Sequence, residues 1–246
     1  MKGVAWCACL SALSVTVGCG SDNPEPVTIT AVVVSYDGDP SSGEPVELVQ
    51  VCELATRNCD TTDEAGQFEL ELPRDSEVAL TLVKEGFGDT LVSDVTDEEL
   101  NTGRPTILLP TEGWIETFAT QLGTSFPTCP PEQIACENGI VLIITRDGLR
   151  RDDNPIAGVS YELIVGEGEP YYLDDEGNGD PSLEATGALG AGGFYELKDI
   201  GKIHEVSLSG MDGDCRAAAA WPGEEPNTIR FMVLDKFLTQ ATVVCD

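Results

Sequence analysis

The residues best suited to bind a cation lie in one short acidic stretch. Four oxygen-bearing side chains occupy positions 1, 3, 5 and 7 of a loop that has Gly179 at position 6. They are Asp174, Glu176, Asn178 and Asp180. Oxygen ligands at this spacing can surround Ca²⁺, although position 12 is Ala185 rather than a bidentate glutamate. The stretch predicts either a calcium site or a solvated hairpin turn, and no other cofactor is expected.

Groups suited to catalysis are scarce. His204 is the only histidine, and the sequence has neither a Gly-x-Ser-x-Gly nucleophile elbow nor a His-x-x-Glu zinc motif. The 44 aspartates and glutamates supply so many carboxylate pairs that no single pair is evidence for acid–base chemistry. We therefore predict that the chain is not an enzyme, with no catalytic residues; a hydrolase, or a hydrolase accessory subunit, is an alternative.

The N-terminus has the proportions of an export signal. Lys2 precedes residues 4–17, an apolar run shorter than the roughly 20 residues that span a bilayer. The run leads into a Val-Gly-Cys triplet ending at Cys19, which resembles the lipobox of bacterial lipoproteins. The resemblance implies a signal peptide at 1–18 and a lipid on Cys19 that anchors the chain to the membrane; an ordinary secretory signal is the alternative. Gly20 implies the outer membrane, by similarity to enterobacterial sorting.

Six cysteines follow Cys19, and an even number in an exported chain predicts disulfides. Spacing pairs the near neighbours first and leaves the last two for each other. The predicted pairs are Cys52 with Cys59, Cys129 with Cys136, and Cys215 with Cys245. A metal site is the alternative, but no Cys-x-x-Cys pair exists beyond the leader.

The charge balance limits the choice of partners. The chain has 44 acidic and 13 basic residues, a formal net charge of −31. Such a surface cannot neutralise a run of phosphates, so we predict that nucleic acid is not a partner. It also gives no attraction to anionic lipid, whereas it does attract cations.

Most of the chain has β periodicity. Residues 67–72 alternate polar and apolar, residues 45–52 are predicted as one strand with Val46 and Leu48 on one face, and turns recur as expected of an all-β sandwich. Three runs carry a resemblance: Gly-Glu-Pro-Val-Glu-Leu at 43–48, Thr-Thr-Asp-Glu-Ala-Gly-Gln-Phe at 61–68, and Lys-Glu-Gly-Phe at 84–87. Together they resemble a carboxypeptidase regulatory-like domain, which implies a small transthyretin-like sandwich over residues 27–110.

A helix and a second unit follow. Trp114, Ile115, Phe118 and Leu122 have helical spacing between a capping Thr111 and Gly123. We predict that Trp114 packs within the protein rather than stacking on a sugar. From residue 139 onward, Pro155 starts a run that parallels the one at Pro45, and residues 186–195 resemble a looser copy of the turn and strand at 61–68.

These features predict an all-β protein of two small antiparallel β-sandwich domains, transthyretin-like or immunoglobulin-like, joined by a short helix. The predicted segments are a lipoprotein signal peptide at 1–18, a tether at 19–26, the first sandwich at 27–110, a helical linker with a disulfide loop at 111–138, and a second, diverged sandwich at 139–246. The predicted function is binding or scaffolding in the cell envelope, with an envelope protein or a glycan as partner. A calcium-dependent carbohydrate or protein adhesion module is an alternative.

Overall fold

The computed structural model describes residues 26–96, 106–124, 139–150, 152–211 and 213–246. The first unit comprises residues 27–110 and the second unit residues 139–246. The strands of the first unit are β1 (Val27–Tyr36), β2 (Gln50–Glu53), β3 (Cys59–Thr61), β4 (Gln67–Leu72), β5 (Glu77–Val83), β6 (Thr90–Val95) and β7 (Ile107–Pro110). Helix α1 (Glu112–Leu122) comes next. The strands of the second unit are β8 (Gly139–Arg146), β9 (Ser160–Val165), β10 (Glu169–Leu173), β11 (Gly179–Asp180), β12 (Ala191–Leu197), β13 (Ile203–Ser209), β14 (Cys215–Ala219), β15 (Trp221–Pro222), β16 (Thr228–Met232) and β17 (Leu238–Cys245).

Strand β4 shows how the sequence pattern builds the core. Phe68, Leu70 and Leu72 are buried, while the residues between them are exposed. Their buried face meets residues of β2, β5 and β6 from the opposite layer. Removing each such side chain from water contributes roughly 1.5–3 kcal/mol. The predicted all-β sandwich is confirmed.

The segment before β2 bends where a continuous strand was predicted. Val46, Val49 and Val51 all face the core, while Leu48 is 68% exposed, so the predicted sharing of one face by Val46 and Leu48 is wrong. The reason is that Leu48 has a φ of 57°, in the left-handed region. Thr62 fixes the bend, because its hydroxyl donates to Val46 O and accepts from Val49 N–H. We call this arrangement the threonine latch.

The second unit contains the same latch. The Thr186 hydroxyl donates to Ile156 O and accepts from Val159 N–H. Gly158, with a φ of 83°, stands where the first unit has Leu48. The similarity between the two units that the sequence predicts is therefore present in three dimensions.

Strand β17 joins the two units. It lies between β8 and β6 and is parallel to both, with seven registered pairs from Leu238–Ile140 to Val244–Arg146 on the β8 side. The resulting ten-stranded sheet runs β11-β10-β12-β8-β17-β6-β5-β2-β3, and β14 also pairs with β17. The smaller sheets are β4-β1-β7 and β15-β16-β13-β9. The β1–β7 pair is also parallel, and the other pairings are antiparallel, as predicted. The sharing of one sheet by both units was not predicted from the sequence.

Side chains reinforce the junction between the units. Trp221 is buried, and its indole N–H lies 3.0 Å from both Val78 O and Asp94 O in the first unit. Gln240 on β17 is also buried, and its Oε1 accepts from Leu108 N–H on β7 at 2.8 Å. Both side chains therefore make hydrogen bonds to backbone groups across the junction. The two units are therefore joined by a sheet and a packed interface as well as by α1.

Helix α1 begins and ends as its sequence predicts. The Thr111 hydroxyl accepts from Trp114 N–H, and Gly123 takes a φ of 68° after the last turn. Ile115, Phe118, Ala119 and Leu122 form its buried face. Across the part of the chain that the structure describes, no helix has the length and apolar character needed to cross a membrane.

Candidate functional site

Two of the three predicted disulfides are present. Cys52 and Cys59 are bonded across the β2–β3 hairpin, and Cys215 is bonded to Cys245 between β14 and β17. The predicted pair Cys129–Cys136 and the predicted lipid site at Cys19 lie outside the described residues. The two disulfides link neighbouring strands, and no free thiol remains among the cysteines that the structure describes.

The first disulfide also orders a polar cap on the edge of β4. Asn58 Nδ2 donates to Glu71 O at 2.8 Å, and Glu69 N–H donates to Asp60 Oδ2 at 2.7 Å. Asn58 and Asp60 lie on either side of Cys59, so the bond holds both side chains against β4. Unpaired strand edges invite pairing with other chains, and these two side chains occupy backbone groups of that edge.

The proposed calcium loop forms a tight turn between β10 and β11. Asp174 Oδ1 accepts from Glu176 N–H at 3.0 Å and from Asn178 N–H at 2.8 Å, while Asn178 Nδ2 contacts both Asp174 carboxylate oxygens. Burial alone would raise the pKa of Asp174, but hydrogen bonds from the Asn178 side chain and the turn N–H groups outweigh it and lower that pKa. The same Asp-x-x-Gly turn occurs at Asp63, whose Oδ1 accepts from the N–H groups two and four residues later.

Two of the other predicted calcium ligands, Asn178 and Asp180, also have protein partners. Asp180 Oδ1 accepts from the Ser182 N–H and hydroxyl, and these bonds lower the pKa of Asp180. Asn178 Oδ1 accepts from Gln121 Nε2 at 2.6 Å. No group of three or more His, Cys, Asp or Glu side chains that could hold a metal occurs among the described residues. Because these oxygens already have donors, calcium would have to displace some of them, and its binding stays a prediction.

The single histidine and the two tyrosines that precede the acidic loop lie in the core. Tyr171 and Tyr172 are both buried, on opposite faces of β10, so the pair does not form an exposed platform. His204 is fully buried and stacks on Phe231, with ring centroids 6.0 Å apart. Both of its ring nitrogens lack a hydrogen-bond partner. Burial lowers the pKa of His204, and Asp199 opposes this weakly.

An open groove of about 400 Å³ lies where α1 meets loops from both units. Its lining comprises Asp37, Thr111, Gly113, Trp114, Thr117, Gln121, Glu176, Gly177 and Asn178. The floor is fixed by close packing, since a Cβ added at Gly177 would lie 2.5 Å from Gly38 O, while one added at Gly38 would lie 3.3 Å from Trp114 Nε1. The loop after β1 and the acidic hairpin therefore meet directly beneath Trp114.

Trp114 is held by other aromatic rings. It stacks on Phe118 with ring centroids 4.4 Å apart and makes a T-shaped contact with Tyr36 at 4.6 Å. Phe118 in turn contacts Tyr171 at 5.1 Å. Such contacts contribute about 0.5–1.5 kcal/mol each beyond burial. The predicted packing role of Trp114 is confirmed, yet its side chain remains partly exposed on the groove.

Polar contacts tie the walls of the groove together. Thr111 Oγ1 donates to Asp37 Oδ1 at 2.6 Å, which links α1 to the first unit. Gln121 links α1 to the second unit, because its Nε2 donates to Asn178 and its Oε1 accepts from Gly179 N–H. Neither Asp37 nor Gln121 was among the residues predicted to form a site. Helical spacing from Trp114 through Thr117 to Gln121 was the signal that could have found the α1 wall, whereas the Asp37 contact depends on the fold.

Three solved structures are similar to this chain at low sequence identity. The shaft pilin SpaA from Lactobacillus rhamnosus GG is 9% identical, covering 90% of this chain and 98% of the pilin with a TM-score of 0.26. The minor pilin GBS52 of Streptococcus agalactiae is 13% identical, covering 89% of this chain and 94% of the pilin with a TM-score of 0.29. The Bacillus anthracis TIE protein is 11% identical over 90% of this chain and 34% of its own length, with a TM-score of 0.25.

No model of a known protein family and no curated protein sequence matches the chain. The carboxypeptidase regulatory-like resemblance therefore stays a prediction.

Proposed function

We propose that the chain is a non-enzymatic lipoprotein of the bacterial cell envelope that scaffolds or binds another envelope component. In this proposal a lipid on Cys19 anchors the chain to the outer membrane, and residues 19–26 form a tether. The two units, the first of them carboxypeptidase regulatory-like, form the body that meets an envelope protein or a glycan at the cell surface or in the periplasm.

The observation that carries this proposal is the placement of β17. Its pairing with both β8 and β6 makes one sheet of the two units, and Trp221 and Gln240 add polar and apolar contacts across the junction. A body built in this way holds surfaces of both units in a fixed relation. A fixed relation suits recognition of a partner by both units, because little ordering entropy is lost on binding.

Membrane attachment is tested by Cys19→Ala, with Cys9→Ala as a control that changes another leader cysteine. We expect Cys19→Ala to abolish palmitate labelling and to release the chain from the membrane fraction or block its maturation. Cys9→Ala should leave both unchanged. Undiminished labelling of the Cys19→Ala variant would disprove the anchor.

Scaffolding is tested by crosslinking the full chain in intact envelopes and identifying what is joined to it. We expect one recurrent envelope protein or glycan, recovered from wild type and lost after unfolding. Hydrolysis of esters, peptides or glycosides by the pure chain, abolished by one carboxylate substitution, would contradict the non-enzymatic proposal.

A further inference from the structure

The hydroxyl and amide side chains of the groove under α1 donate to partners within the protein. The Thr111 hydroxyl donates to Asp37, the Thr117 hydroxyl donates to Gly113 O, and Gln121 Nε2 donates to Asn178. Asn178 Nδ2 donates to Asp174. The hydroxyl and amide groups that could hold a neutral polar ligand are therefore largely occupied.

Carboxylate oxygens and the exposed part of one indole ring remain available in the groove. Asp37 uses only Oδ1 toward Thr111, which leaves its other carboxylate oxygen, and no donor in the described part of the chain reaches the Glu176 carboxylate. Both carboxylates line the same groove as the partly exposed indole of Trp114. No lysine or arginine is among the lining residues. A ligand that fits must bring its own donors and a positive charge.

The guanidinium group of arginine matches this arrangement best. Its planar fork can donate two parallel hydrogen bonds to a carboxylate, and its face can stack on an indole. A lysine ammonium offers charge without the planar stacking surface. The net charge of −31 adds long-range attraction for a basic partner.

The geometry points to this groove as a binding site for an arginine side chain of a basic partner protein, held between Trp114, Glu176 and Asp37. The inference rests on the proposed binding function and adds the chemistry of the partner, a basic protein with an exposed arginine. It places the site at the junction of the two units, because Asp37 comes from the first unit and Glu176 from the second.

The test uses the full chain in detergent and calorimetric titration with three short peptides of identical length. One repeats glycine, serine and arginine, the second replaces arginine by lysine, and the third replaces it by uncharged citrulline. We expect the arginine peptide to bind about tenfold more tightly than the citrulline peptide, with lysine in between. Binding should weaken at about 1 M salt, where the Debye length falls to about 3 Å.

Substitutions locate the site. Glu176→Gln and Trp114→Leu should each weaken arginine binding by about fivefold or more, because each removes one partner of the guanidinium. Asp175→Asn is the matched control, since Asp175 is exposed in the same turn but does not line the groove. It removes the same charge and should change affinity less than about twofold. Trp114→Phe keeps a ring and guards against a folding defect in the leucine variant.

Three outcomes would overturn the inference. Equal binding of the arginine and citrulline peptides would show that the positive charge is not recognised. Equal weakening by Asp175→Asn and Glu176→Gln would show that binding depends on the net charge of the chain and not on this groove. A neutral oligosaccharide that binds through Trp114 and is indifferent to Glu176→Gln would make the groove a sugar site. The proposed envelope function has a separate readout, because crosslinking to an envelope partner by a chain that fails all arginine tests would leave that function standing.

Discussion

In the first unit the outer edge of β4 is covered by two side chains, whereas in the second unit the corresponding strand, β12, is covered by another strand. Both strands pair with the first strand of their own unit, β1 and β8 respectively. Asn58 and Asp60 cap β4, while β10 pairs with β12 from Glu169–Tyr195 to Tyr172–Gly192. The equivalent edge is thus protected by side chains of a short hairpin in the first unit and by an additional strand, β10, in the second.

The contrast between the two edges shows what a short connection needs in order to protect a strand. The first-unit hairpin is too small to add a strand beside β4, and the Cys52–Cys59 bond fixes the two side chains that cover it. In the second unit, β10 forms four residue pairs with β12. Within the described residues, no disulfide closes the segment that contains β10. Covalent closure and strand pairing are alternative ways to keep an edge from pairing with other chains.

Removing the disulfides should have the largest effects. The Cys215–Cys245 bond spans 30 residues and the Cys52–Cys59 bond spans 7, so chain-entropy estimates give losses of about 3.5 and about 2.5 kcal/mol. The paired serine variants, measured by urea unfolding, should follow this order. Only the Cys52→Ser, Cys59→Ser variant should also aggregate below its unfolding transition, because it frees the β4 edge. Aggregation of the other variant alone would contradict the capping argument.

The threonine latches should be equivalent in the two units. Thr62→Val and Thr186→Val each remove a buried hydroxyl that donates once and accepts once. We expect each to lower the free energy of unfolding by about 2 kcal/mol, because a buried N–H and a buried C=O lose their partner. Thr62→Ser and Thr186→Ser keep the hydroxyl and should lose about 1 kcal/mol or less. A difference of about tenfold in unfolding constant between the two valine variants, or about 1.4 kcal/mol, would show that the latches are not equivalent.

The left-handed residue of the latch loop is Leu48 in the first unit and Gly158 in the second, and exchanging the two should have opposite effects. Leu48 is exposed and left-handed, so Leu48→Gly should raise the free energy of unfolding by about 1 kcal/mol. Gly158 is left-handed with open space around its missing Cβ, so Gly158→Leu should lower it by about the same amount. Thermal unfolding of both single variants and of the double exchange gives the measurement. If Leu48→Gly destabilises, Leu48 makes a contact that outweighs its backbone strain.

Local interactions could be predicted from the sequence, because the residues that make them are close together in it. Thr111 and Gly123 bound α1 as expected, and Cys52 is bonded to Cys59 across the short span that spacing identified. Cys215–Cys245 was predicted only as the pair that remained. The position of β17 could not be predicted, because a run of β-branched residues does not specify which strands it will lie between. The groove was missed for the same reason, since Asp37 reaches Thr111 only after both have been placed by the sheet. Leu48 was assigned to the wrong face because left-handed backbone is rare for leucine.

The buried histidine should give the second unit a pH dependence of its own. His204 occupies the register position that Val78 holds in β5. Burial lowers the pKa of His204 below its usual value of 6.5, so the unfolded chain gains a proton at a pH where the folded chain does not. Stability should therefore fall as the pH drops below about 6.5. In the His204→Val variant, the free energy of unfolding should change less between about pH 7 and about pH 5.5 than it does in the wild type. If the free energy of unfolding of this variant falls with pH as steeply as that of the wild type, carboxylates and not His204 cause the loss of stability.

The smallest effect is expected at the two Asp-x-x-Gly turns. Asp63 and Asp174 each accept two backbone N–H groups, so Asp63→Ala and Asp174→Ala should each cost about 1 kcal/mol. The first turn has Ala65 where the second has Glu176, and therefore one fewer oxygen-bearing side chain, which makes Asp63→Ala the control for ion binding. Melting temperatures at matched ionic strength, with Ca²⁺ and then Mg²⁺, separate a turn from a metal site. Equal shifts with both ions, retained in Asp180→Asn, would mean that the second turn is solvated like the first. A rise that requires Ca²⁺ and disappears in Asp180→Asn would establish the calcium site, and with it a chemical difference between two turns of the same backbone shape.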